Sequence, residues 1–215
     1  MEADRKTTAT YLIAIAGTSG SGKTELAYRL AGELRGATVL SLDSYYRNLE
    51  HLSFAERNRF NFDDPHVLDW ELITIQVGAL ARGRSIQQPV YSFEMHLRRP
   101  ETVTVSPGRF VIIEGLFALY RESVRTCCGA RIFVETPDEV CFQRRLQRDV
   151  RERGRTEQSV VEQYETTVRP SAQKWVLPTA CHADLVVGGD QPLDDSLKAC
   201  LALIERKGMA LDATV

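Results

Sequence analysis

Hydrophobic residues in this chain gather in five short runs, with helical or irregular stretches between them. The runs are Tyr11–Ala16, Thr38–Leu42, Phe110–Ile113, Ala130–Val134 and Leu185–Val187. Continuous apolar runs of this length are typical of strands buried on both faces of a parallel sheet. After the first run, apolar residues recur at helical spacing from Leu26 to Leu34, and the pattern stops before Gly36. The sequence therefore predicts a strand followed directly by a helix.

Three further segments carry the signals of helix ends. Asp69 is predicted to cap a helix that runs to about Gly83. Thr136-Pro137-Asp138-Glu139 indicates a capping box with proline at the first helical position, and a last helix, Leu193–Lys207, is expected to end at Gly208. Strands and helices thus alternate, which predicts an α/β fold: a doubly wound, five-stranded parallel sheet with helices on both faces and ligands at the strands' carboxyl ends.

The segment from about 87 to 105 interrupts this alternation. Pro89–Tyr91 and Thr102–Val105 have short-strand character on either side of the polar stretch Glu94–Arg99. Two short strands around a polar connection are typical of a hairpin. The sequence therefore predicts a small β-ribbon inserted beside the main sheet.

The turn after the first strand matches the phosphate-binding pattern G-x-x-x-x-G-K-[ST]. Its residues are Gly17, Thr18, Ser19, Gly20, Ser21, Gly22, Lys23 and Thr24. Glycines let backbone N–H groups converge on phosphate oxygens at a helix N-terminus, where the dipole favours anions. Lys23 would add a positive charge, and the Thr24 hydroxyl would bind Mg²⁺. The motif predicts a P-loop NTPase-type fold that binds a nucleoside triphosphate; the alternative is a glycine-rich turn with a solvated lysine.

The length and the charge of the chain limit the number of domains and the kinds of partner that it can have. The 215 residues, of which 43% are hydrophobic, fit one P-loop domain spanning residues 1–215. The net charge of −2 gives no field that would draw the protein to nucleic acid or to a membrane. The start, Met1–Lys6, is polar, and no apolar run approaches the ~20 residues of a spanning helix. We expect a cytoplasmic protein without a signal peptide, a membrane partner or a nucleic-acid partner.

Carboxylates at two strand ends favour a small-molecule kinase over other P-loop proteins. The guanine-reading N-K-x-D motif is absent, and Glu114 stands after the Phe110–Ile113 strand where a GTPase would have D-x-x-G. Glu114 could hold Mg²⁺ through its waters. Asp43 follows the second strand, where a kinase acting on an alcohol needs a carboxylate to accept the hydroxyl proton. The alternative for Asp43 is a helix N-cap.

The segment of about 144–157 is the chain's one arginine-rich charge run. Arg145 and Arg148 lie three apart on one face of the helix that Thr136 is predicted to cap, and Arg153-Gly154-Arg155 follows as a flexible exit. Such a segment could close over phosphates as a lid that excludes water and neutralises charge on the γ-phosphoryl group. A solvated, salt-bridged helix face is the alternative.

Several short motifs, in the same order along the chain, resemble those of the uridine kinase (uridine-cytidine kinase) family of P-loop kinases. They are the phosphate loop, Ser41–Tyr46, Asn61–Pro65, Pro89–Tyr91 with His96 and Arg98, Ile113–Gly115, Arg148–Arg155, and Gln163-Tyr164 with Val168–Pro170. The match runs from about Leu12 to Val187. It implies ATP-dependent phosphorylation of the 5′-hydroxyl of uridine, with cytidine as a further substrate, to give the nucleoside monophosphate in pyrimidine salvage.

The resemblance also implies roles for individual residues. The implied catalytic residues are Asp43, as the base, with Lys23 and Arg148, and the phosphates would be bound by the phosphate loop together with Arg148, Arg153 and Arg155. The implied nucleoside-binding residues are Asp43, Tyr46, Asp63, Tyr91, His96, Arg145 and Gln163. Among these, Asp63 and Arg145 would hold the ribose, while Tyr91 and His96 would read the pyrimidine. Thr24 and Glu114 would hold the Mg²⁺ cofactor. For Asp63, loop spacing alone fits a simple Asx-Pro turn equally well.

Two departures from the family pattern fall on the edge expected to contact the donor base. Ala180-Cys181 replaces a basic pair, and Val187-Gly188-Gly189 replaces Pro-Arg-Gly. The choice between ATP and GTP as donor therefore stays open. The resemblance implies a homo-oligomer, a tetramer. Two other functions also remain open: a phosphoribulokinase-like or other small-molecule P-loop kinase, and a nucleotide-binding regulatory module without turnover.

Overall fold

A computed structural model describes residues 10–209 and contains two sheets. The larger sheet is parallel and consists of β1 (Tyr11–Gly17), β2 (Ala37–Ser41), β5 (Phe110–Glu114), β6 (Ala130–Glu135) and β7 (Leu185–Gly188), in the order β2-β5-β1-β6-β7. The smaller sheet pairs β3 (Ile86–Ser92) with β4 (Leu97–Val105) in antiparallel fashion. Both the five-stranded parallel sheet and the inserted ribbon predicted from the sequence are confirmed.

Helical segments connect these strands. The α-helices of the described residues are α1 (Lys23–Glu33), α2 (Phe54–Asn58), α3 (Trp70–Ala81), α4 (Glu122–Arg125), α5 (Asp138–Arg153), α6 (Glu157–Gln163), α7 (Arg169–Ser171) and α8 (Leu193–Arg206). Wider π turns at Tyr164–Val168 and Ala172–Val176 flank α7, and 3₁₀ turns lie at Leu42–Tyr45, Pro65–Val67 and Leu177–His182. Asp69 caps α3 as expected, since its carboxylate accepts a hydrogen bond from the Leu72 N–H at 3.2 Å.

Strand β1 lies at the centre of the sheet and is buried on both faces. Leu12 and Ala14 pack into a core shared with α3, whereas Ile13 and Ile15 pack into a second core shared with α1 and α8. Successive side chains of a strand point to opposite faces, so an uninterrupted apolar strand requires helices on both sides. This burial explains why the run was continuous in the sequence.

The register of the parallel strands brings Glu114 to the phosphate loop. Glu114, the last residue of β5, pairs with Ile15 of β1 on one side and with Ser41 of β2 on the other. Strand β1 leads directly into the phosphate loop, and β2 leads into Asp43. The carboxyl ends of these strands therefore place Glu114 and Asp43 beside the phosphate loop.

The start of α5 differs from the prediction. The helix begins at Asp138 with Pro137 as its cap residue, and Thr136 makes no capping hydrogen bond. Because Pro137 occupies the cap position, Thr136 lies outside the helix, and its hydroxyl donates instead to the Ser21 carbonyl at 3.0 Å. The predicted capping box is therefore wrong, and the residue serves to attach the phosphate loop.

No helix within residues 10–209 is long and apolar enough to cross a membrane. The polar start, Met1–Lys6, in which we expect no signal peptide, lies outside the described residues.

Asp184 links the beginnings of β6 and β7 through hydrogen bonds to its carboxylate. Its carboxylate accepts hydrogen bonds from the Arg131 guanidinium at 2.9 and 3.1 Å, from the Arg131 backbone N–H at 2.9 Å and from Lys207 at 2.9 Å. These donors lower the pKa of Asp184 to about 2, with the Arg131 side chain the largest cause. The charged form of the Asp184 carboxylate is therefore more stable in the folded protein than in the unfolded chain.

We predict that Asp184→Asn destabilises the protein at pH 7 by about 1–2 kcal/mol, because charge-assisted hydrogen bonds are lost. The depressed pKa makes this contribution fully present above about pH 4 and progressively lost as the pH falls towards 2. Urea unfolding of both proteins at pH 7 and pH 3 checks this. Asp190→Asn, in the exposed turn after β7, is the control and should have little effect. A stability gap as large at pH 3 as at pH 7 would contradict the assigned cause.

Candidate active site

The phosphate loop joins β1 to α1 and depends on two left-handed glycines. Gly20 has φ +85° and Gly22, which caps α1, has φ +93°, a region that L side chains rarely adopt. A Cβ at Gly20 would lie 2.4 Å from the Cys141 carbonyl oxygen of α5. Lys23 is buried, and its ammonium group donates to the Thr18 carbonyl at 3.3 Å. The loop is thus folded around its lysine and pressed against α5.

On the side away from Cys141, the phosphate loop packs against the turn after β7. A Cβ at Gly189 would lie 2.0 Å from the Ser21 carbonyl oxygen and 2.2 Å from the Thr136 hydroxyl, so this position has no room for a side chain. Arg144 of α5 joins the two segments, donating to the Gly189 carbonyl at 2.9 Å and to the Gly20 carbonyl at 3.3 Å. The chain's departure from the family pattern at Gly189 therefore lies directly against the phosphate loop.

Thr24, Glu114 and Asp43 form the oxygen-rich end of the site. The Thr24 hydroxyl donates to a Glu114 carboxylate oxygen at 2.9 Å. Burial is the main cause that raises the pKa of Asp43; the negative charge of Glu114 raises it further, and Lys23 opposes the shift. No cluster of three or more His, Cys, Asp or Glu side chains suited to a metal occurs within residues 10–209. A hydroxyl beside one carboxylate suits a hard cation that takes its remaining ligands from phosphate and water.

Arg145 connects the phosphate loop to the predicted ribose residues. It is buried, its guanidinium donates to the Ser19 hydroxyl at 3.1 Å and to the Gln163 side-chain oxygen at 3.1 Å, and it pairs with Asp63 at 3.4 Å. The structure therefore brings together residues that are far apart in the sequence. Asp63 is buried, and its backbone N–H is held by the Asn61 side chain at 3.0 Å. The Asx turn and the ion pair coexist at this position.

Aromatic rings build one wall beside Asp43. Tyr46 packs against Phe62 and Tyr91 with centroid distances of 5.2 Å each, and His96 stacks on Phe62 at 5.0 Å and 19°. The Tyr46 hydroxyl donates to Asp43 at 3.5 Å and to the Phe62 carbonyl at 3.4 Å. The wall unites the end of β2, the loop before α3 and the ribbon. Phe62 had no predicted role, although it stands between Asn61 and Asp63 in the family-like motif Asn61–Pro65, which was a signal for it.

Two polar groups on this wall have unusual environments. The Tyr91 hydroxyl is buried and has no hydrogen-bond partner among the described residues. A buried hydroxyl without a partner is costly, and a polar ligand atom would satisfy it. Burial lowers the pKa of His96, and the nearby Arg153 and Arg57 lower it further. His96 is therefore neutral at pH 7 and presents one donor and one acceptor nitrogen.

Arg98, the third member of the ribbon motif, binds backbone carbonyls beside this wall. Its guanidinium donates to the Tyr46 and Tyr45 carbonyls at 3.1 Å each and to the Asp69 carboxylate at 3.2 Å. It thus ties the ribbon to the segment that carries Asp43. The contact joins β4 to the 3₁₀ turn at Leu42–Tyr45 and to Tyr46, which follows it.

The predicted arginine lid is organised by a carboxylate that sequence analysis missed. Asp149 is fully buried in α5, and four guanidiniums surround it: Arg148 at 2.9 Å, Arg153 at 3.4 Å, Arg145 at 3.6 Å and Arg155 at 3.7 Å. Its spacing was a signal, because it follows Arg145 by four residues and precedes Arg153 by four. The predicted flexible exit is not loose in this conformation. Arg153 is helical, and the Arg155 guanidinium bonds to Gln163 and to the Ser159 carbonyl.

We predict that Gly20→Ala weakens MgATP binding at least about tenfold. The new methyl group cannot fit against Cys141 without moving the loop, and its φ of +85° is strained for alanine. Isothermal titration with MgATP measures the change. Gly32→Ala is the matched control, because this exposed α1 glycine has no atom within 4 Å of an added Cβ. It should bind normally and gain about 0.5–1 kcal/mol of stability. Unchanged affinity in Gly20→Ala would show that the loop tolerates displacement.

Comparison with solved structures supports the fold assignment. A phosphoribulokinase from Rhodobacter spheroides superposes with a TM-score of 0.61 and 14% identity, over 86% of this chain and 74% of that one. A D-glycerate 3-kinase from Cryptococcus neoformans gives a TM-score of 0.61 and 16% identity, over 86% of this chain and 88% of that one. At these identities the likeness concerns the fold alone, which is that of P-loop kinases.

Sequence comparison gives the family. The uridine kinase of Salmonella newport is 41% identical over 197 residues, covering 87% of this chain and 92% of that protein. The uridine kinase of Vibrio cholerae serotype O1 is 38% identical over 200 residues, covering 89% and 94%. Residues 12–191 match the sequence model of one family. The chain belongs to that family, the Phosphoribulokinase / Uridine kinase family.

Proposed function

We propose that this protein is a uridine kinase that transfers the γ-phosphoryl group of a nucleoside triphosphate to the 5′-hydroxyl of uridine, and also of cytidine. The product would be the nucleoside monophosphate of pyrimidine salvage. One observation carries the proposal: Asp43 lies between the phosphate loop and an aromatic wall whose buried Tyr91 hydroxyl has no hydrogen-bond partner within residues 10–209. The names of the relatives support the same substrate class.

The proposed chemistry needs a base, a charge clamp and an oriented acceptor. Asp43 would accept the proton of the 5′-hydroxyl as it attacks the γ-phosphorus. Its raised pKa brings it closer to neutral pH and makes it a stronger proton acceptor than an exposed aspartate. The buried Lys23 ammonium would hold phosphate oxygens beside the loop amides. Positioning and electrostatic stabilisation supply most of the catalysis in phosphoryl transfer.

Thr24 and Glu114 would hold the Mg²⁺ that accompanies the triphosphate. The Thr24 hydroxyl would bind it directly and Glu114 directly or through water, since hard cations prefer oxygen ligands. The ion, when bound, neutralises charge on the β- and γ-phosphates. The hydrogen bond between the two side chains supports this assignment, because it holds their oxygens close enough to bind one ion.

The nucleoside would lie across the site with its ribose beside Asp63, Arg145 and Gln163. The existing bonds among these three side chains orient their polar atoms before the substrate arrives. The base would lie against the aromatic wall, with Tyr46, Tyr91 and His96 near its ring. A flat heterocycle can stack on such rings and pair with the Tyr91 hydroxyl or with His96.

Arginines of α5 and just after it would complete the site from the solvent side. Arg148, Arg153 and Arg155 would contact the phosphates, Arg148 close to the transferred group. Two proposals rest on the family resemblance: a homo-oligomeric state, a tetramer, and location in the cytoplasm. ATP is the expected donor, with GTP as the other candidate.

Two alternatives make different demands on the same residues. A phosphoribulokinase-like enzyme would act on a sugar phosphate, for which the aromatic wall has no evident use. A regulatory module without turnover would not need a carboxylate of raised pKa beside the phosphate loop. The wall and Asp43 therefore favour the nucleoside kinase.

A coupled assay with MgATP and a panel of acceptors tests the proposal. We expect turnover with uridine and cytidine and little with adenosine or ribulose 5-phosphate, because the wall suits a single-ring base. Preference for ribulose 5-phosphate would favour the other kinase class. Binding of MgATP without turnover of any acceptor would favour the regulatory module.

We predict that Asp43→Asn keeps MgATP binding but lowers kcat about 10²–10⁴-fold, because the amide preserves the shape and removes the proton acceptor. In the parent, activity should fall as the pH drops through the pKa of Asp43, at a higher pH than for an ordinary aspartate. This acid limb should be absent from the variant. Rate profiles against pH and MgATP titrations check both points. Lys23→Ala is the comparison and should weaken both binding and turnover. Near-normal kcat in Asp43→Asn would remove Asp43 from the mechanism.

A further inference from the structure

Arg57 is a buried arginine outside the residues assigned above. It lies in α2 and is only 7% exposed. Its Nε donates to the Met95 carbonyl at 3.1 Å, and its Nη1 donates to the Leu52 carbonyl. The half-exposed Phe54 ring lies 5.9 Å from the guanidinium carbon and covers it from solvent. One side chain thus joins α2, the loop before it and the turn of the ribbon.

This guanidinium has no carboxylate partner within residues 10–209. Burying a cation without a counter-charge is costly, and charge-assisted bonds to carbonyl groups recover part of that cost. The planar fork of arginine can reach two carbonyls in fixed directions, which the single ammonium of lysine cannot do at the same geometry. The arrangement therefore serves to hold backbone segments in place.

The residue after the tethered carbonyl is His96, which has the left-handed φ of +51°. Within the described residues it is the only non-glycine residue with a positive φ, and such a conformation persists only where its surroundings impose it. The Met95 N–H is also held, by the Ser92 hydroxyl at 3.3 Å. Both peptide groups of Met95 are therefore fixed, and the His96 ring is held parallel to Phe62.

We propose that Arg57 is a positioning residue for the acceptor site: its bond to the Met95 carbonyl fixes the ribbon turn, so that His96 stays stacked on Phe62 and can face the base of the bound nucleoside. Arg57 acts through His96 and need not touch the substrate. The proposal rests on the proposed function for the identity of the acceptor. The tether itself does not depend on that identity.

Kinetics of Arg57→Lys and Arg57→Met test the effect on the acceptor. We expect the KM for uridine to rise about 10–10²-fold, with the KM for ATP changed less than about twofold, because only the acceptor wall is displaced. Arg57→Lys keeps the charge and loses the fork, so it should resemble Arg57→Met. Arg59→Met is the matched control, since Arg59 is exposed at the end of the same helix and its side chain makes no hydrogen bond or ion pair among the described residues. Equal rises in both KM values would overturn the proposal.

A double-mutant cycle separates positioning from general destabilisation. If Arg57 acts through His96, Arg57→Met should add less than about twofold to the KM for uridine in a His96→Ala background. A global loss of stability would instead leave the effect undiminished in that background. Fully additive effects would therefore contradict the proposal.

Hydrogen exchange tests the tether without substrate. In Arg57→Met the backbone amides of residues 93–97 should exchange faster than in the parent, whereas Arg59→Met should leave them unchanged. If the parent fails to phosphorylate uridine, the proposed function fails, and the same KM comparison is made with the acceptor that it does use. Unchanged exchange in Arg57→Met would overturn the proposal whatever the acceptor.

Discussion

The backbone of α5 packs directly against the phosphate loop, and the geometry of the whole site follows from this contact. A Cβ at Gly20 would lie 2.4 Å from the Cys141 carbonyl oxygen, so the loop approaches the helix more closely than a residue with a side chain would allow. One turn further along, Arg145 reaches back to Ser19 and across to Asp63. The phosphate loop and the proposed acceptor residues are therefore positioned by one helix, and a shift of α5 would displace both.

The carboxyl edge of the sheet supplies the second constraint. Parallel register sets Glu114 beside the ends of β1 and β2, so Asp43 and Glu114 must share a confined space. Burial is the main cause that raises the pKa of Asp43, and the like charge of Glu114 raises it further. Lys23 limits the shift. The fold thus raises the pKa of the candidate base mainly by burying it and, to a smaller extent, by the strand register that sets Glu114 nearby.

Local signals in the sequence were sufficient for the strands, the phosphate loop, the ribbon and the cap at Asp69. Each depends on residues near one another in the chain, where periodicity and spacing are informative. The role of Thr136 was predicted wrongly because its hydroxyl bonds to Ser21, more than a hundred residues away, in place of its own helix. Arg57 was missed for a related reason, since its contact with Met95 joins two segments whose pairing no local pattern specifies. Long-range polar contacts of this kind are decided by tertiary packing.

The arginines around Asp149 differ in how far their side chains are exposed to solvent. Four guanidiniums face one carboxylate, so the cluster carries excess positive charge; burial and the neighbouring Arg148 lower the pKa of Arg153. A polyphosphate would relieve this repulsion. The Arg145 side chain is only 8% exposed and belongs to the fixed frame, whereas those of Arg153 and Arg155 are 43% and 28% exposed. In the proposed site, the exposed Arg153 and Arg155 would meet an incoming phosphate, while Asp149 keeps the buried Arg145 beside Ser19 and Asp63.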